Sequence, residues 1–201
     1  MPMLNYELSY VKKQGQEIRT VFEDLASLRM TVFREYPYLY EGSLDYERQY
    51  LETYALSERA LLFAVYKGEQ MVGATTCIPL RDETAPIRQP FALAGWELDK
   101  LFYFGESLLL PPYRGQGLGH RFFDEREAWA RSFGTYQKAC FYAVERPDDH
   151  PLRPADYRSN EAFWKKRGYA KYPNLQTSLS WPDPGETEST PKPLVCWMRD
   201  L

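Results

Sequence analysis

The stretch that most constrains the fold of this chain is residues 108–133, LLLPPYRGQGLGHRFFDEREAWARSF. Its three leucines end an apolar strand, and Pro111 and Pro112 stop that strand because proline supplies no N–H to a sheet. A glycine-rich turn over residues 114–119 follows. A helix is predicted next, from apolar residues at helical spacing: Leu118, Phe122, Trp129 and Phe133. Its predicted outer face is charged and carries Arg121, Asp124, Glu125, Glu127 and Arg131.

The order strand, glycine turn, helix favours the binding of a phosphate group. The first N–H groups of a helix have no partner within the helix, and the positive end of the helix dipole lies behind them. Glycines permit positive φ in the turn and let a pyrophosphate come close to the backbone. Arg114, at the start of the turn, adds a fixed charge suited to phosphate. The segment therefore predicts an anion site at the start of the helix.

Two common glycine loops do not fit this turn. A P-loop carries Lys followed by Ser or Thr, where this chain has His120 and Arg121. The dinucleotide fingerprint G-x-G-x-x-G fails at His120, because the glycines stand at alternate positions, 115, 117 and 119. A nucleotide-binding protein is thus a rival interpretation, and the missing P-loop lysine argues against it.

The spacing that the turn does match is Arg/Gln-x-x-Gly-x-Gly/Ala, with Arg114, Gly117 and Gly119. Together with the preceding Leu-Pro-Pro-Tyr, it resembles the acyl-CoA signature of the GNAT superfamily of N-acetyltransferases. The segment EAFWKKRGY is similar to the closing helix of that family, F-Y-x-K-x-G-F. The residues on this second pattern are Phe163, Trp164, Lys166, Gly168 and Tyr169. An ordinary helix start, with glycines that serve only the turn, is the alternative interpretation, and the neighbouring elements weaken it.

The rest of the chain predicts alternating strands and helices. Strands are predicted at residues 6–12, 60–66, 71–79, 101–110, 138–144, 175–181 and 194–199. Helices are predicted from Val21 to about Arg34, over 44–56 with Ser43 as cap, over 91–94 ended by Gly95, and over 160–167 closed by Gly168. The segments 81–90, 145–154 and 182–193 are predicted as loops.

This element order, β-α-α-β-β-β-α-β-α-β-β, is that of the GNAT fold, and the resemblance covers nearly the whole chain. It implies one domain over residues 1–201 in the α/β (α+β) class. It also implies a mixed, mostly antiparallel sheet of about seven strands with helices on both faces. Two strands, at residues 108–110 and 141–144, are expected to splay apart at the cofactor cleft.

Composition narrows the class of protein further. The net charge is −3 with no basic stripe, which argues against a nucleic-acid partner. No apolar run reaches the length of a membrane span, and the first residues show no signal-peptide pattern, so no membrane partner is expected. Cys77, Cys140 and Cys196 each lie in a predicted strand, which favours buried free thiols in a reducing cytoplasm. The sequence is compatible with both a monomer and a homodimer.

The resemblance implies acetyl-CoA as co-substrate, with its pyrophosphate on the N–H groups of residues 116–120 and its pantetheine arm between the splayed strands. No metal is expected, because His150 has no second histidine or cysteine at ligand spacing. Asn160 either contacts the cofactor arm or caps its helix. The predicted cofactor-binding residues are Leu108, Leu109, Leu110, Arg114, Gly115, Gln116, Gly117, Leu118, Gly119, His120, Asn160 and Phe163.

Acyl transfer to an amine needs a base, because only the neutral amine attacks. Glu106, on the strand before the turn, is the predicted base, and a surface carboxylate is the alternative. The usual acid of the family, a tyrosine in the closing helix, falls on Trp164, whose indole gives up no proton near neutral pH. Tyr157 or Tyr142 could substitute, or no acid acts at all.

The acceptor is predicted to bind between the first two helices and the loop after the fifth strand. Predicted substrate-binding residues are Arg34, Tyr36, Tyr38, Tyr40 and His150, with Glu35, Asp148, Asp149 and Arg153 nearby. Aromatic walls with a few charges suit a small amine or an amino-acid-like acceptor. The alternative is that these tyrosines pack with their hydroxyls at the surface. The predicted function is N-acetyl transfer by direct attack, and the rival is an inactive acyl-CoA sensor or scaffold, which Trp164 favours.

Overall fold

A computed structural model describes residues 7–201 of the chain. Its strands are β1 (Leu8–Gln14), β2 (Leu61–Lys67), β3 (Gln70–Pro79), β4 (Leu101–Leu109), β5 (Lys138–Val144), β6 (Ala170–Trp181) and β7 (Thr190–Asp200). Its α-helices are α1 (Phe22–Phe33), α2 (Leu44–Leu56), α3 (Ala85–Leu93), α4 (Leu118–Ser132) and α5 (Glu161–Lys166). The predicted start of the first strand at Tyr6 lies outside the described residues.

The strands form one seven-stranded sheet in the order β1-β2-β3-β4-β5-β7-β6. Every neighbouring pair is antiparallel except β4 and β5, which run parallel. Helices α1, α2 and α3 bury Leu25, Leu51 and Phe91 against one face, and α4 buries Phe122 and Phe123 against the other, where α5 also packs. The predicted fold class, a mostly antiparallel sheet with helices on both faces, is confirmed.

Helix α2 begins where the sequence predicted. The Ser43 side-chain oxygen accepts a hydrogen bond from the Tyr46 N–H at 3.4 Å, which gives one of the unpaired N–H groups of the first turn a partner. Leu51, Tyr54 and Ala55 then turn inward. Glu47 shares that buried face, so the helix carries a charge into the interior beside its apolar residues.

The loop predicted over residues 81–90 is wrong, because α3 occupies most of it. Pro86 lies in the first turn, where a missing N–H costs nothing. Ile87 and Phe91 stand four residues apart and are both buried, so one apolar face holds the helix to the core. The separate helix predicted at 91–94 is the last turn of α3, and Gly95 follows with φ 79° as expected.

The two late strands are longer than predicted. Strand β6 begins at Ala170 rather than at Leu175, and its pairing with β7 is irregular between Tyr172 and Gln176. Strand β7 begins at Thr190, within the polar stretch 182–193 that was predicted as a loop. Prolines 191 and 193 are tolerated because β5 pairs with β7 only from Leu194 onward, which leaves one edge of this segment free of the β5 ladder.

The predicted outer face of α4 is also partly wrong. Glu127 is buried, accepts a hydrogen bond from the Tyr169 hydroxyl at 3.1 Å and pairs with Arg167 at 3.2 Å. The three cysteines are free and buried, as predicted, and burial raises the pKa of Cys77 to about 12. Within residues 7–201, no helix has the length and apolar character needed to cross a membrane.

Candidate active site

Strands β4 and β5 separate halfway along their length. They pair only over Leu101–Tyr103 and Lys138–Cys140, although β4 continues to Leu109 and β5 to Val144. Ser107 is exposed even though β4 is a central strand of the sheet. The predicted splay is therefore present, and it opens a cleft whose walls are unpaired backbone of the two strands.

A β-bulge marks the point where the strands separate. Thr76 pairs with Glu106 and Cys77 with Phe104, so Gly105 is an extra residue in β4. Tyr103 and Leu108 belong to the same core cluster although five positions separate them, which shows that the bulge resets the alternation of β4. Glu106 consequently points to the face covered by α1–α3. Position 105 has to be glycine, because a Cβ there would collide with the Tyr54 hydroxyl.

The glycine turn gives α4 an open N-terminus. Gly117 precedes the helix with φ 85°, and Gly115 has φ 74°, so both adopt the left-handed conformation that glycine tolerates. The first bond of the helix runs from the Arg121 N–H to the Gly117 carbonyl at 3.2 Å, which leaves the earlier N–H groups without a helical partner. A Cβ at Gly115 or Gly117 would meet no atom within 4 Å. The space above these residues is therefore open to a ligand.

Arg114 is half-exposed and already engaged. Its Nε donates to the Leu109 carbonyl at 2.9 Å, and its Nη1 pairs with Glu35 at 2.7 Å. The first contact closes the turn on the end of β4, and the second joins the turn to the loop after α1. Gln116 also folds back, through a 2.7 Å bond from Nε2 to the Pro112 carbonyl. The guanidinium predicted to serve phosphate thus has a second role in holding the turn.

The other predicted cofactor-binding residues differ in their contacts near this opening and in how far they are buried. The Phe163 ring lies 3.8 Å from the Cβ position of Gly119 and 4.8 Å from the His120 ring, between centroids. Leu108 and Leu118 are buried, whereas Leu109 and Leu110 are half-buried. Asn160 is exposed at the N-cap position of α5, yet its side chain makes no cap bond, and Ser159 accepts from the Glu161 N–H instead.

Glu106, the predicted base, is buried, so it is not the surface carboxylate of the alternative interpretation. Its side chain is 1% exposed and contacts the guanidinium of Arg29, which reaches down from α1 and also contacts Glu47. The Oε1 atom of Glu106 has no hydrogen-bond partner among residues 7–201. A surface role is therefore wrong, and a buried carboxylate with one free acceptor atom stands at the bulge.

Two further buried carboxylates near Glu106 were missed from sequence. Glu47 is fully buried between Arg29 and the Tyr40 hydroxyl, which donates to it at 2.8 Å. Glu83 accepts from the Tyr54 hydroxyl at 2.9 Å, and burial raises its pKa above the ordinary value. Glu47 could have been found, because it precedes Leu51 by one helical turn on the inward face of α2.

Trp164, at the position of the family's usual acid, and the two candidate substitutes, Tyr142 and Tyr157, lie in different surroundings. Trp164 packs against Phe141 and Trp197, with ring centroids 5.0 and 5.1 Å away, on the α4–α5 face. Tyr142 is buried on the opposite face, where burial raises its pKa, and its hydroxyl has no partner in the described part of the chain. Tyr157 is half-buried in the loop after β5, and burial raises its pKa as well.

The structure brings the two predicted acceptor segments together. The Tyr36 ring lies 4.6 Å from that of Tyr157 and 5.8 Å from that of His150, between centroids. Tyr38 packs on Phe33 at 4.4 Å. Arg34 is the exception, because its side chain is mostly exposed and pairs with Glu41 away from these rings.

The pKa of Tyr38 is shifted by burial and by charged groups that include Glu106 at the bulge. Burial raises its pKa to about 12, the charge of Arg29 opposes that shift, and Glu106 and Tyr157 reinforce it. Among residues 7–201, no group of three or more His, Cys, Asp or Glu residues is arranged to hold a metal ion.

An open helix N-terminus beside two splayed strands, with a buried carboxylate at the bulge, defines a fold and site of the acyltransferase kind. The model of the acetyltransferase (GNAT) family matches residues 23–155, which is more than half of the chain. The chain belongs to the GNAT acetyltransferase family. A search of curated protein sequences found no significant match.

Solved structures share the fold at low sequence identity. A ribosomal-protein-alanine N-acetyltransferase from Brucella melitensis superposes with a TM-score of 0.57 at 13% identity, over 95% of this chain and 99% of that one. An acetyltransferase from Streptococcus agalactiae gives 0.57 at 14% identity, over 96% and 98%. An acetyltransferase from Thermus thermophilus gives 0.54 at 16% identity, over 99% and 100%.

Proposed function

We propose that this protein transfers an acetyl group from acetyl-CoA to the amine of a small-molecule or amino-acid-like acceptor, by direct attack of the amine on the thioester. The observation that carries this proposal is the meeting of three features at one place. Strand β4 and the turn after it carry Glu106 at the bulge, one wall of the gap to β5, and the open start of α4. A donor held along the gap would present its reactive end to Glu106.

The residues around the cleft fit the donor. The N–H groups that precede Arg121 can bind a pyrophosphate, because they are unpaired within the helix and the glycines leave the space above them open. Beyond Tyr103 the facing backbone groups of β4 and β5 no longer bond to each other, so they can bind the amides of a pantetheine arm. An N–H of β4 beyond Tyr103, where the strand no longer pairs with β5, can stabilise the negative charge that develops on the carbonyl oxygen.

Glu106 is proposed to accept the proton of the attacking amine, directly or through a water molecule. Its unpartnered Oε1 is the atom available for that proton. The other carboxylate oxygen, Oε2, contacts the Arg29 guanidinium, which holds the side chain in place. Tyr36, Tyr38, Tyr40 and His150 are proposed to form the acceptor side, where the Tyr36 ring packs against His150.

The leaving thiolate receives its proton from Tyr157 or Tyr142, or from solvent without a protein acid. Trp164 cannot supply one, since it is packed between aromatic rings and carries only an indole N–H. This residue favours the second candidate function, an acyl-CoA-binding sensor or scaffold without turnover. In that case the donor site would be retained, and no thiol would be released whatever the amine.

An acceptor screen separates the two candidates. Purified protein is incubated with acetyl-CoA and a panel of small amines and amino acids, and free thiol is recorded over time. Release above the rate without protein, for at least one amine, supports the enzyme. Acetyl-CoA binding by calorimetry together with no release for any amine supports the sensor. No binding at all would contradict both.

A further inference from the structure

Arg146 joins three segments that are distant in sequence. Its Nε donates to the Pro37 carbonyl at 2.9 Å and its Nη2 to the Tyr38 carbonyl at 2.7 Å, both in the loop after α1. Its two Nη atoms form a bidentate pair with Asp183, in the β6–β7 connection, at 2.7 and 2.8 Å. The Arg146 side chain is only 7% exposed. A planar guanidinium is required here, because a lysine could not make these four contacts.

Asp183 is itself fixed from several sides. Lys192 approaches it at 3.1 Å, and the Nε2 of His150 lies 4.0 Å away. Burial opposes the ionisation of Asp183, but the bonds from Arg146 and Lys192 outweigh it and hold its pKa below the ordinary value. The Arg146–Asp183 pair is therefore a preformed charged anchor.

The loop that this anchor holds has an uncommon backbone. The Tyr38 carbonyl accepts a second bond, from the Trp181 Nε1 at 3.0 Å. The next residue, Leu39, is buried and has φ 51°, in the left-handed region that non-glycine residues seldom adopt. Such a conformation persists where the surroundings fix it, and it often marks a functional loop. Here Arg146 and Trp181 bind the Tyr38 carbonyl, and bonds from the Leu39 N–H to the Glu35 carbonyl at 3.0 Å and from the Tyr40 N–H to the Phe33 carbonyl at 2.8 Å close the turn.

We propose that Arg146, anchored by Asp183, is a positioning residue for the acceptor amine. It holds residues 36–40 so that the Tyr36 ring packs against Tyr157 and His150 and the Tyr38 ring packs on Phe33. The proposal rests on the proposed acetyl transfer, because it assigns these rings to acceptor binding. It goes beyond the rings themselves by naming the charged group that sets their arrangement.

The donor side is held by different contacts, which makes the proposal selective. The glycine turn is held within its own segment by bonds from Arg114 to the Leu109 carbonyl and from Gln116 to the Pro112 carbonyl. The exposed pair of Arg114 with Glu35 is its one ion pair with the loop after α1 among residues 7–201. Arg146 has no contact with residues of that turn in the described part of the chain. Loss of the anchor should therefore impair recognition of the acceptor and leave acetyl-CoA affinity intact.

The test uses the full chain with Arg146→Lys and Asp183→Asn. Arg146→Lys keeps the charge and removes the fork, and Asp183→Asn keeps the shape and removes the charge. Arg19→Lys is the matched control, since Arg19 forms a similar forked pair with Glu52 on an exposed surface away from the cleft. Each variant is measured for acetyl-CoA affinity, for the KM and kcat of an acceptor found in the screen, and for amide hydrogen exchange over residues 36–41.

We expect the KM of the acceptor to rise roughly tenfold or more in both variants, because bonds from a charged donor are lost. Acetyl-CoA affinity should stay within about twofold of the parent, and exchange over residues 36–41 should become faster. Arg19→Lys should match the parent in all three measurements. An unchanged KM in either folded variant, or an equal loss of acetyl-CoA affinity, would overturn the proposal.

Failure of the proposed function gives a different result. The parent itself would then release no thiol with any amine, while hydrogen exchange could still be compared between parent and variants. Unchanged exchange over residues 36–41 would show that Arg146 does not position this loop. Faster exchange without any acetyl transfer by the parent would overturn the assignment of the loop to an acceptor.

Discussion

The carboxylate of Glu106 lies against the guanidinium of Arg29 inside the protein, with the two side chains 1% and 8% exposed. Arg29 also contacts Glu47, and its guanidinium lies 4.3 Å from the centre of the Tyr50 ring. One cation therefore contacts two carboxylates that are buried from bulk solvent. This arrangement places charge at the bulge of β4, where acetyl transfer is proposed, and it is the basis of the first two predictions.

Glu106→Gln should lower turnover about 10²- to 10⁴-fold, the usual contribution of a general base, with acetyl-CoA affinity nearly unchanged. The amide keeps the shape of the side chain and removes its basicity. Rate should recover in part at high pH, where the acceptor amine loses its proton without help. Steady-state kinetics across pH check this, with Glu52→Gln as an exposed control. Turnover like that of the parent at every pH would move the search for a base to Asp148, Asp149 or His150.

Arg29→Met should destabilise the fold by about 3–5 kcal/mol, because it leaves two buried carboxylates without their cation. The double variant Arg29→Met with Glu106→Gln should recover part of that loss. Arg48→Met, which removes exposed pairs with Glu23 and Asp45, should cost far less. Urea unfolding measures all three changes. A cost for Arg29→Met as small as that for Arg48→Met would contradict the structure of this cluster.

Acetyl-CoA at about 100 times its dissociation constant should stabilise the protein by roughly 2.7 kcal/mol, visible as a rise in Tm. Gly117→Val should abolish the shift, because a β-branched residue resists φ 85° and fills the open space of the turn. Gly134→Val is the matched control, since Gly134 also has positive φ and open space but lies beyond the far end of α4.

Gly134→Val should be less stable than the parent, because valine resists a positive φ, and its Tm should still rise when acetyl-CoA is added. ATP should stabilise the parent less than acetyl-CoA does. An unchanged acetyl-CoA shift in folded Gly117→Val would place the donor elsewhere on the protein.

The buried carboxyl of Glu83 should make the protein less stable as pH rises. Burial raises its pKa in the folded state above its ordinary value, so the folded protein retains a proton that the unfolded chain releases. Stability therefore falls between about pH 4.5 and the raised folded pKa. Glu83→Gln should lack this decline and be the more stable protein above that range. Free energies of unfolding from urea titrations between pH 4 and 9 test it, and parallel profiles for the two proteins would contradict it.

Much of the fold follows from local patterns in the sequence. The turn from Arg114 to Gly119, the cap at Ser43 and the glycine after α3 each depend on residues within a few positions of one another. Such features are set by backbone geometry and helix periodicity, which read directly from the chain. Predictions were wrong where the tertiary structure overrides a local preference. Pro191 and Pro193, for example, lie in β7 rather than in a loop, because they stand beyond the end of its pairing with β5.

The candidate site could also be predicted only in part, because local patterns name features within one segment but not the contacts between segments. The glycine turn, the splay and the aromatic loop could be named, because each lies within one segment. Glu106 could be named but not described, since its partner Arg29 is 77 positions away in the chain. Glu83 and Arg146 were missed, because a buried charge in sequence looks the same as an exposed one.

The sequence by itself determined the order of the elements, the glycine turn and the residue types available for chemistry. Only the tertiary structure decided that the bulge at Gly105 turns Glu106 toward α1. It likewise decided that Arg146 brings the loop after α1 to the β6–β7 connection. The physical reason is range: turns and helix starts are stabilised by neighbours in the chain. A buried charge is stable only with a partner, and that partner comes from wherever the fold brings it.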